Sequence, residues 1–172
     1  SKPQMYGIWL AKQTIGIAAT RRNMARIYDL SDDRCPNCLC GPEKTNHLNR
    51  CLDPGREALF DTDVEELHKW MLKNGNTDPE LAYFICKFFQ GRGERSMRSL
   101  GEMSVGMRKV AAGFDEIGWV DVLHGRAPLA LREFQTAHCL TADCRLTGKD
   151  WMKAFITKVL QISHGQWMYQ NC

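Results

Sequence analysis

The sequence predicts an all-α fold, a multi-helix domain with a small cysteine-rich knuckle inserted after the first pair of helices. Three observations carry that prediction. Apolar residues recur at spacings of three to five over residues 57–73, 81–89 and 147–172, the repeat of one helix face. No alternating pattern of useful strand length occurs in the 172 residues. Four of the eight cysteines, Cys35, Cys38, Cys40 and Cys51, crowd into one short stretch. The expected organisation is N-terminal helices over 1–34, the knuckle over 35–52 and a helical domain over 53–172, six or seven helices in one compact unit. The start at Ser1 and the stop at Cys172 inside a helical pattern suggest a processed piece or a fragment of a larger polyprotein.

Taken in order, Met5, Ile8, Trp9, Ile15, Ile17, Met24 and Ile27 are spaced for two short helices in residues 4–28. Gly16 and Ala18-Ala19 mark the break, and Thr20 is placed to cap the second helix. Ser31-Asp32-Asp33 turns into the cysteine cluster, and Asp53-Pro54-Gly55 punctuates its far side. Phe60, Val64, Leu67, Trp70 and Met71 then share one helix face, with acidic residues opposite. Gly75 closes this helix and Asp78-Pro79 opens the next, since proline at the first helical position gives up only an orphan donor. Leu81, Phe84, Ile85, Phe88 and Phe89 form its apolar face, which Gly91 and Gly93 interrupt, and residues 91–99 (GRGERSMRS) read as a basic loop. Ser104 caps a helix bearing Val105, Val110, Phe114 and Ile117, and a short helix with Leu129, Leu131 and Phe134 follows Gly125 and Pro128. Trp151, Phe155, Val159, Ile162 and Trp167 run along the last helix. The five tryptophans, Trp9, Trp70, Trp119, Trp151 and Trp167, fall on apolar faces and read as core rather than as platforms for stacked bases.

Apolar residues at 44% and charged residues at 25% are the balance of a globular chain. No apolar run approaches the roughly 18–20 residues of a membrane span, so no membrane partner is expected. A net charge of +3 does not by itself imply a nucleic acid, but the charge is unevenly spread. Residues 1–34 and 87–109 are basic, residues 53–80 acidic, and residues 110–172 balanced. Arg92, Arg95 and Arg98 sit three apart near two glycines, a spacing suited to successive phosphates, and Arg21, Arg22 and Arg26 can extend the same surface. The competing reading pairs these arginines with Glu94, Glu102 and the acidic helix at 57–66.

Catalysis finds little support. GRGERS lacks the Lys-Ser/Thr ending of a phosphate-cradling loop and follows a helix rather than a strand. Neither a G-x-S-x-G elbow nor an HExxH pair occurs. His138, Cys139 and Cys144, with His124 as a partner, make a nucleophile or second metal site only if folding brings them together. Asp61, Asp63, Glu65 and Glu66 read as a solvated helix face. A non-catalytic protein is expected.

The cysteine cluster carries the strongest chemistry. Cys35-Pro36-Asn37-Cys38, then eight residues, then His47-Leu48-Asn49-Arg50-Cys51, is C-x2-C-x8-H-x3-C. Two cysteines two residues apart can turn both sulfurs toward one ion across a tight knuckle. A His and a Cys four apart lie on one face of a helix, which Thr45 is placed to cap. Together Cys35, Cys38, His47 and Cys51 make a tetrahedral Cys3His set whose ordinary occupant is structural zinc. Oxidised pairs are the alternative, and Cys40 can replace Cys38 or pair with it, although its ordinary role is a free thiol beside Gly41-Pro42. Cys86, Cys139, Cys144 and Cys172 read as ordinary thiols. A thiolate-metal site points to a reducing compartment, hence an intracellular protein of the nucleus or cytoplasm. A knuckle this short has almost no core, so metal binding must supply much of its folding free energy.

With those residues in view, the chain resembles the zinc-binding region found downstream of reverse transcriptases in non-LTR-type retroelements. It is more closely similar to retroelement-associated proteins of eukaryotic microbes. Four blocks carry the resemblance: Trp9 with Thr20-Arg21-Arg22-Asn23-Met24; DRCPNC with HLNRC; YFICKFFQGRGERSMRSLGEM at 83–103, followed by Ile117-Gly118-Trp119; and WMKAFITKVLQISHGQWMYQN at 151–171. The resemblance implies a zinc-stabilised helical segment that accompanies a reverse transcriptase domain and helps engage element RNA or target DNA. Where the family continues past a terminal W-x-x-R-N with a nearby His, this chain has Gln170 and stops at Cys172, which suggests a truncated copy. The competing class is a helical protein-interaction scaffold that docks onto a polymerase or a partner subunit.

Overall fold

The computed structural model describes residues 2–15 and 18–170, and within them nine α-helices form and no strand does. The all-α expectation holds. The expected break at Gly16, together with Ile17, Asn171, Cys172 and the side chains of Met5 and Gln170, lies outside what is described. The helices are α1 (Lys2–Thr14), α2 (Arg21–Tyr28), α3 (Thr45–Leu48), α4 (Pro54–Lys73), α5 (Pro79–Gln90), α6 (Val105–Ile117), α7 (Trp119–Leu123), α8 (Leu129–Thr141) and α9 (Gly148–Gln170). Two of these, α3 and α7, are a turn or so long and too short for periodicity to reveal.

Most helix starts follow the capping chemistry. Thr20 accepts from the Asn23 amide, Ser104 from the Met107 amide, and Asp78 from the Glu80 and Leu81 amides ahead of Pro79. Thr45 departs from expectation: it is the first residue of α3, Lys44 holds the cap position, and no side chain caps that helix. After α4 the left-handed turn falls on Asn76 (φ 44°) rather than on Gly75. Residues 91–99 are not a plain loop, because Met97–Ser99 form a 3-10 turn with Met97 fully buried. Asp115 fixes that turn by accepting from the Met97 and Arg98 amides and from Arg98 Nε.

The chain divides into two compact units, residues 1–60 with 162–172, and residues 61–161. In the second unit all five expected α5 residues, from Leu81 to Phe89, are buried. Phe88 and Phe89 meet Trp119 edge-on at 5.5 and 5.3 Å, and Trp151 stacks on Phe155 at 5.4 Å. Trp151 Nε1 donates to Thr77 Oγ1 at 2.8 Å, so the largest buried ring keeps its polar atom satisfied. Gln135, fully buried, accepts from the Asp78 amide at 3.1 Å and donates to the Asn76 carbonyl at 3.0 Å, which holds the turn between α4 and α5. The α6 stripe is Met107, Val110, Ala111 and Phe114. Val105 and Leu129, both expected in the core, are 65% and 58% exposed. Each lies two residues, about 200° of helix rotation, before the first buried residue of its stripe.

In the first unit Trp9 is buried among Tyr6, His164 and Trp167. Ile8, Ile15 and Ile27 are solvent-exposed. Of the tryptophans, Trp9, Trp119 and Trp151 are buried, and Trp70 and Trp167 half-buried.

Two glycines separate the effects of backbone and space. Gly93 has φ 64°, and a Cβ there would run into the Trp119 side chain. Gly7 lies inside α1 with nothing near its missing side chain. Gly93→Ala should lower stability by at least about 2 kcal/mol in chemical denaturation, whereas Gly7→Ala should raise it by about 0.5–1 kcal/mol.

Candidate metal centre

The knuckle is built by short backbone bonds. An isolated antiparallel bridge joins Arg34 to Pro42, the Cys35 amide donates to the Gly41 carbonyl, and the Leu39 amide returns to the Cys35 carbonyl, each bond at 2.9 Å. Leu39 takes the left-handed conformation (φ 55°) that lets so tight a turn close. On its approach Asp32 clamps Arg34 through two side-chain bonds at 3.0 and 3.1 Å, and that partner holds the Asp32 carboxyl down to about 2.

Within this frame Cys35, Cys38, His47 and Cys51 converge, with all four ligand atoms inside 4.8 Å of one another. Cys35 Sγ lies 3.7 Å from Cys51 Sγ, and Cys38 Sγ lies 3.3 Å from His47 Nε2. A tetrahedral ion about 2.3 Å from sulfur and about 2.0–2.1 Å from imidazole nitrogen sets sulfur–sulfur edges near ~3.8 Å and sulfur–nitrogen edges near ~3.6 Å. The two separations of 3.7 and 3.3 Å lie close to those edges, and the others stay within 4.8 Å. They are far too long for a sulfur–sulfur bond of about 2.05 Å, and all seven described cysteines are unbonded. Cys40 stands exposed outside the four, with its sulfur against the Cys38 carbonyl at 3.1 Å. The set can therefore hold one metal ion through three sulfurs and one ring nitrogen.

One part of the sequence argument is corrected. His47 and Cys51 do not share a helix face, because α3 ends at Leu48 and Cys51 follows it in irregular backbone. His47 lies within a single helical turn, and the chain then bends through Asn49 (φ −90°, ψ 2°) to bring Cys51 back. Cys35 and Cys51 are fully buried, and Cys38 and His47 half-buried. Burial raises the Cys35 thiol and pushes Cys51 up to about 12. For Cys38 burial is outweighed by the Cys40 amide and neighbouring thiols, and its thiol is lowered. Burial also lowers His47, which keeps the imidazole neutral and able to coordinate. Without an ion the two buried sulfurs hold their protons, so metal capture releases protons.

Sequence reasoning missed a second feature of this unit. Arg56 is 1% exposed and Glu43 is fully buried, with Nη1 and Oε1 4.0 Å apart. Arg56 Nη1 also donates to the Leu48 carbonyl at 3.4 Å, one residue after the ligand His47. Glu43 Oε2 accepts from the Arg21 amide at 2.8 Å, and Gln166 Nε2 donates to the Arg56 carbonyl at 3.4 Å. The guanidinium sits 5.6 Å from the Tyr169 ring. A signal existed: Arg56 is one helical turn before Phe60, so the buried stripe at 60, 64, 67 and 71 extends back onto it.

The six arginines fall in different units. Arg21 and Arg26 are exposed and Arg22 half-buried on α2, where Arg22 and Arg26 border a cleft shared with Asp29 and Asp33. Arg21 Nε donates to the Asp32 carbonyl at 3.2 Å. In the other unit Arg92 pairs with Asp61 at 3.7 Å, Arg98 with Asp115 at 3.0 Å, and Arg95 donates to the Ser99 carbonyl. The acidic helix thus takes one arginine, as the competing reading expected, while Glu94 and Glu102 are replaced by Asp115. His124 lies against Asp121 and His138 against Asp78, so these two histidines do not combine as one site. Among the described residues no second group of three metal-binding side chains converges. Compared with protein-family models, curated proteins and solved structures, the chain matches none.

Removing one member of the buried pair strands the other. Arg56→Met should cost about 3–5 kcal/mol, and adding Glu43→Gln should recover part of that loss in a double-mutant cycle. Additive losses would show that the two charges are not coupled.

Proposed function

We propose that the chain is a zinc-stabilised, non-catalytic module of a retroelement protein that contacts RNA or DNA phosphates through its basic stretches. The single observation behind this reading is the convergence of the ligand atoms of Cys35, Cys38, His47 and Cys51 to within 4.8 Å of one another. Three thiolates and an imidazole favour zinc among divalent ions. Four protein ligands close the coordination sphere, so the ion holds the fold and offers no open position for chemistry. The seven unbonded cysteines fit a reducing compartment, nucleus or cytoplasm. Arg21, Arg22 and Arg26 are the leading phosphate contacts, because Arg92 and Arg98 are engaged by carboxylates. A reverse transcriptase domain of the same element is the natural neighbour, following the resemblance in the motif blocks.

A second reading, a scaffold that docks onto a polymerase or partner subunit, is favoured by one observation. Ile27, Tyr28, Leu39 and Leu52 expose apolar side chains, each more than half accessible, in the unit that holds the knuckle. Within the described residues no helix is long and apolar enough to cross a membrane.

Two measurements test the proposal. Mass spectrometry of the intact chain should find one zinc ion, lost with helicity on chelation or in Cys38→Ser. Binding to mixed-sequence RNA and duplex DNA should weaken with salt at a log–log slope of about −2 to −3 for three phosphate contacts. Arg22→Gln with Arg26→Gln should bring that slope nearer zero by about 1.5–2, and Arg92→Gln with Arg98→Gln by less. Binding that ignores salt, or no binding, favours the scaffold.

A further inference from the structure

Two cysteines outside the metal centre share one seam of the second unit. Cys139 lies near the end of α8, and Cys144 follows in the connection to α9. Gln135 Nε2 lies 3.5 Å from Cys139 Sγ and 3.0 Å from the Asn76 carbonyl. Cys144 Sγ lies 3.7 Å from that same carbonyl and 3.5 Å from Asn76 Nδ2. Both sulfurs therefore rest against the Gln135–Asn76 contact, and both are half-buried, within reach of a small reagent. Burial first, and then the adjoining Cys139 sulfur, push the Cys144 thiol up to about 11. Neither sulfur belongs to the metal set.

We infer that Cys139 and Cys144 form a reversible dithiol site that a small-molecule disulfide oxidises to an intramolecular bond. The Cys139 thiolate attacks one sulfur of the reagent, whose S–S bond breaks, and the departing thiolate takes up the proton Cys139 lost. The Cys144 thiolate then attacks the Cys139 sulfur and expels the second reagent thiol, protonated by the hydrogen Cys144 gave up. Two protein thiols are oxidised and one disulfide is reduced to two thiols. The cost falls on local hydrogen bonds: Cys139 donates weakly to the Leu146 carbonyl at 3.8 Å and Cys144 to the Asn76 carbonyl at 3.7 Å, and both donors vanish on oxidation. Asn76 keeps its Gln135 partner and its own bond to the Asp143 carbonyl at 3.2 Å, so the turn survives while the link between α8 and α9 tightens. The paired thiols thus make the start of α9 responsive to the ambient thiol–disulfide ratio.

The test uses the full, metal-loaded chain in glutathione buffers of graded ratio, quenched by alkylation and cleaved with trypsin. Residues 133–145 then form one peptide containing both cysteines, since Arg132 and Arg145 bound it. The expected product is that peptide lacking two hydrogens, in a fraction that follows the glutathione ratio and reverts on adding excess thiol. In Cys144→Ser the product should instead be a single glutathione adduct on Cys139. Glutathione carried on both cysteines of the unaltered chain, bonds from either to Cys40 or Cys86, or a peptide still reduced where the denatured chain has formed the bond, would each overturn the inference.

Discussion

Convergence of three sulfurs and one imidazole on a single point is the constraint on which the first unit depends. The segment from Cys35 to Cys51 buries little apolar side chain of its own beyond Leu48, and its backbone bonds are a handful of turns. Such a segment cannot offset the conformational entropy of ordering itself by burial alone. Bringing the ligand atoms within 4.8 Å of one another without an ion leaves buried thiols whose deprotonation is unfavourable. An ion reverses that balance, because the same burial that penalises a lone thiolate strengthens its attraction to a divalent charge.

Around that point the structure places an unusual companion, the buried pair of Arg56 and Glu43. Burial of a charge is costly unless it is matched, and here matching comes from both sides of the knuckle. Glu43 lies between the cysteine turn and His47, and it accepts from the amide that opens α2. Arg56 belongs to the first turn of α4 and reaches the carbonyl that follows the ligand histidine. The two charges thereby connect α2, the knuckle and α4 through direction-dependent contacts, whereas a purely apolar seam would tolerate slippage.

Much of the fold was legible because helices announce themselves by period and by cap. Thr20, Ser104 and Asp78-Pro79 begin helices as their chemistry requires, and the stripes of α4, α5 and α9 are buried as spaced except at the half-buried Trp70 and Trp167. The ligand set was legible for a different reason, since a C-x2-C pair followed by H-x3-C offers three sulfurs and an imidazole at spacings that suit one ion. What failed were features set by tertiary context. Val105 and Leu129 are apolar but stand off their stripes. Thr45 looked like a cap but begins a helix of one turn, so the imidazole and the last sulfur meet through a bend rather than along a helix face. The buried Arg56 escaped because charge argues for solvent until a partner is known, and its partner sits thirteen residues earlier across the knuckle.

The order of the chain through the two units has a consequence for synthesis. Residues 61–161 are contiguous, whereas the other unit draws on residues 1–60 and then on 162–172. His164, Gln166 and Tyr169 supply contacts to Tyr6, Trp9, Asp53 and Arg56. As the polypeptide leaves the ribosome, the middle can finish folding before the beginning does. Until residues 162–170 emerge, Tyr6 and Trp9 lack the rings of His164 and Trp167, and Arg56 lacks Gln166 and the Tyr169 ring.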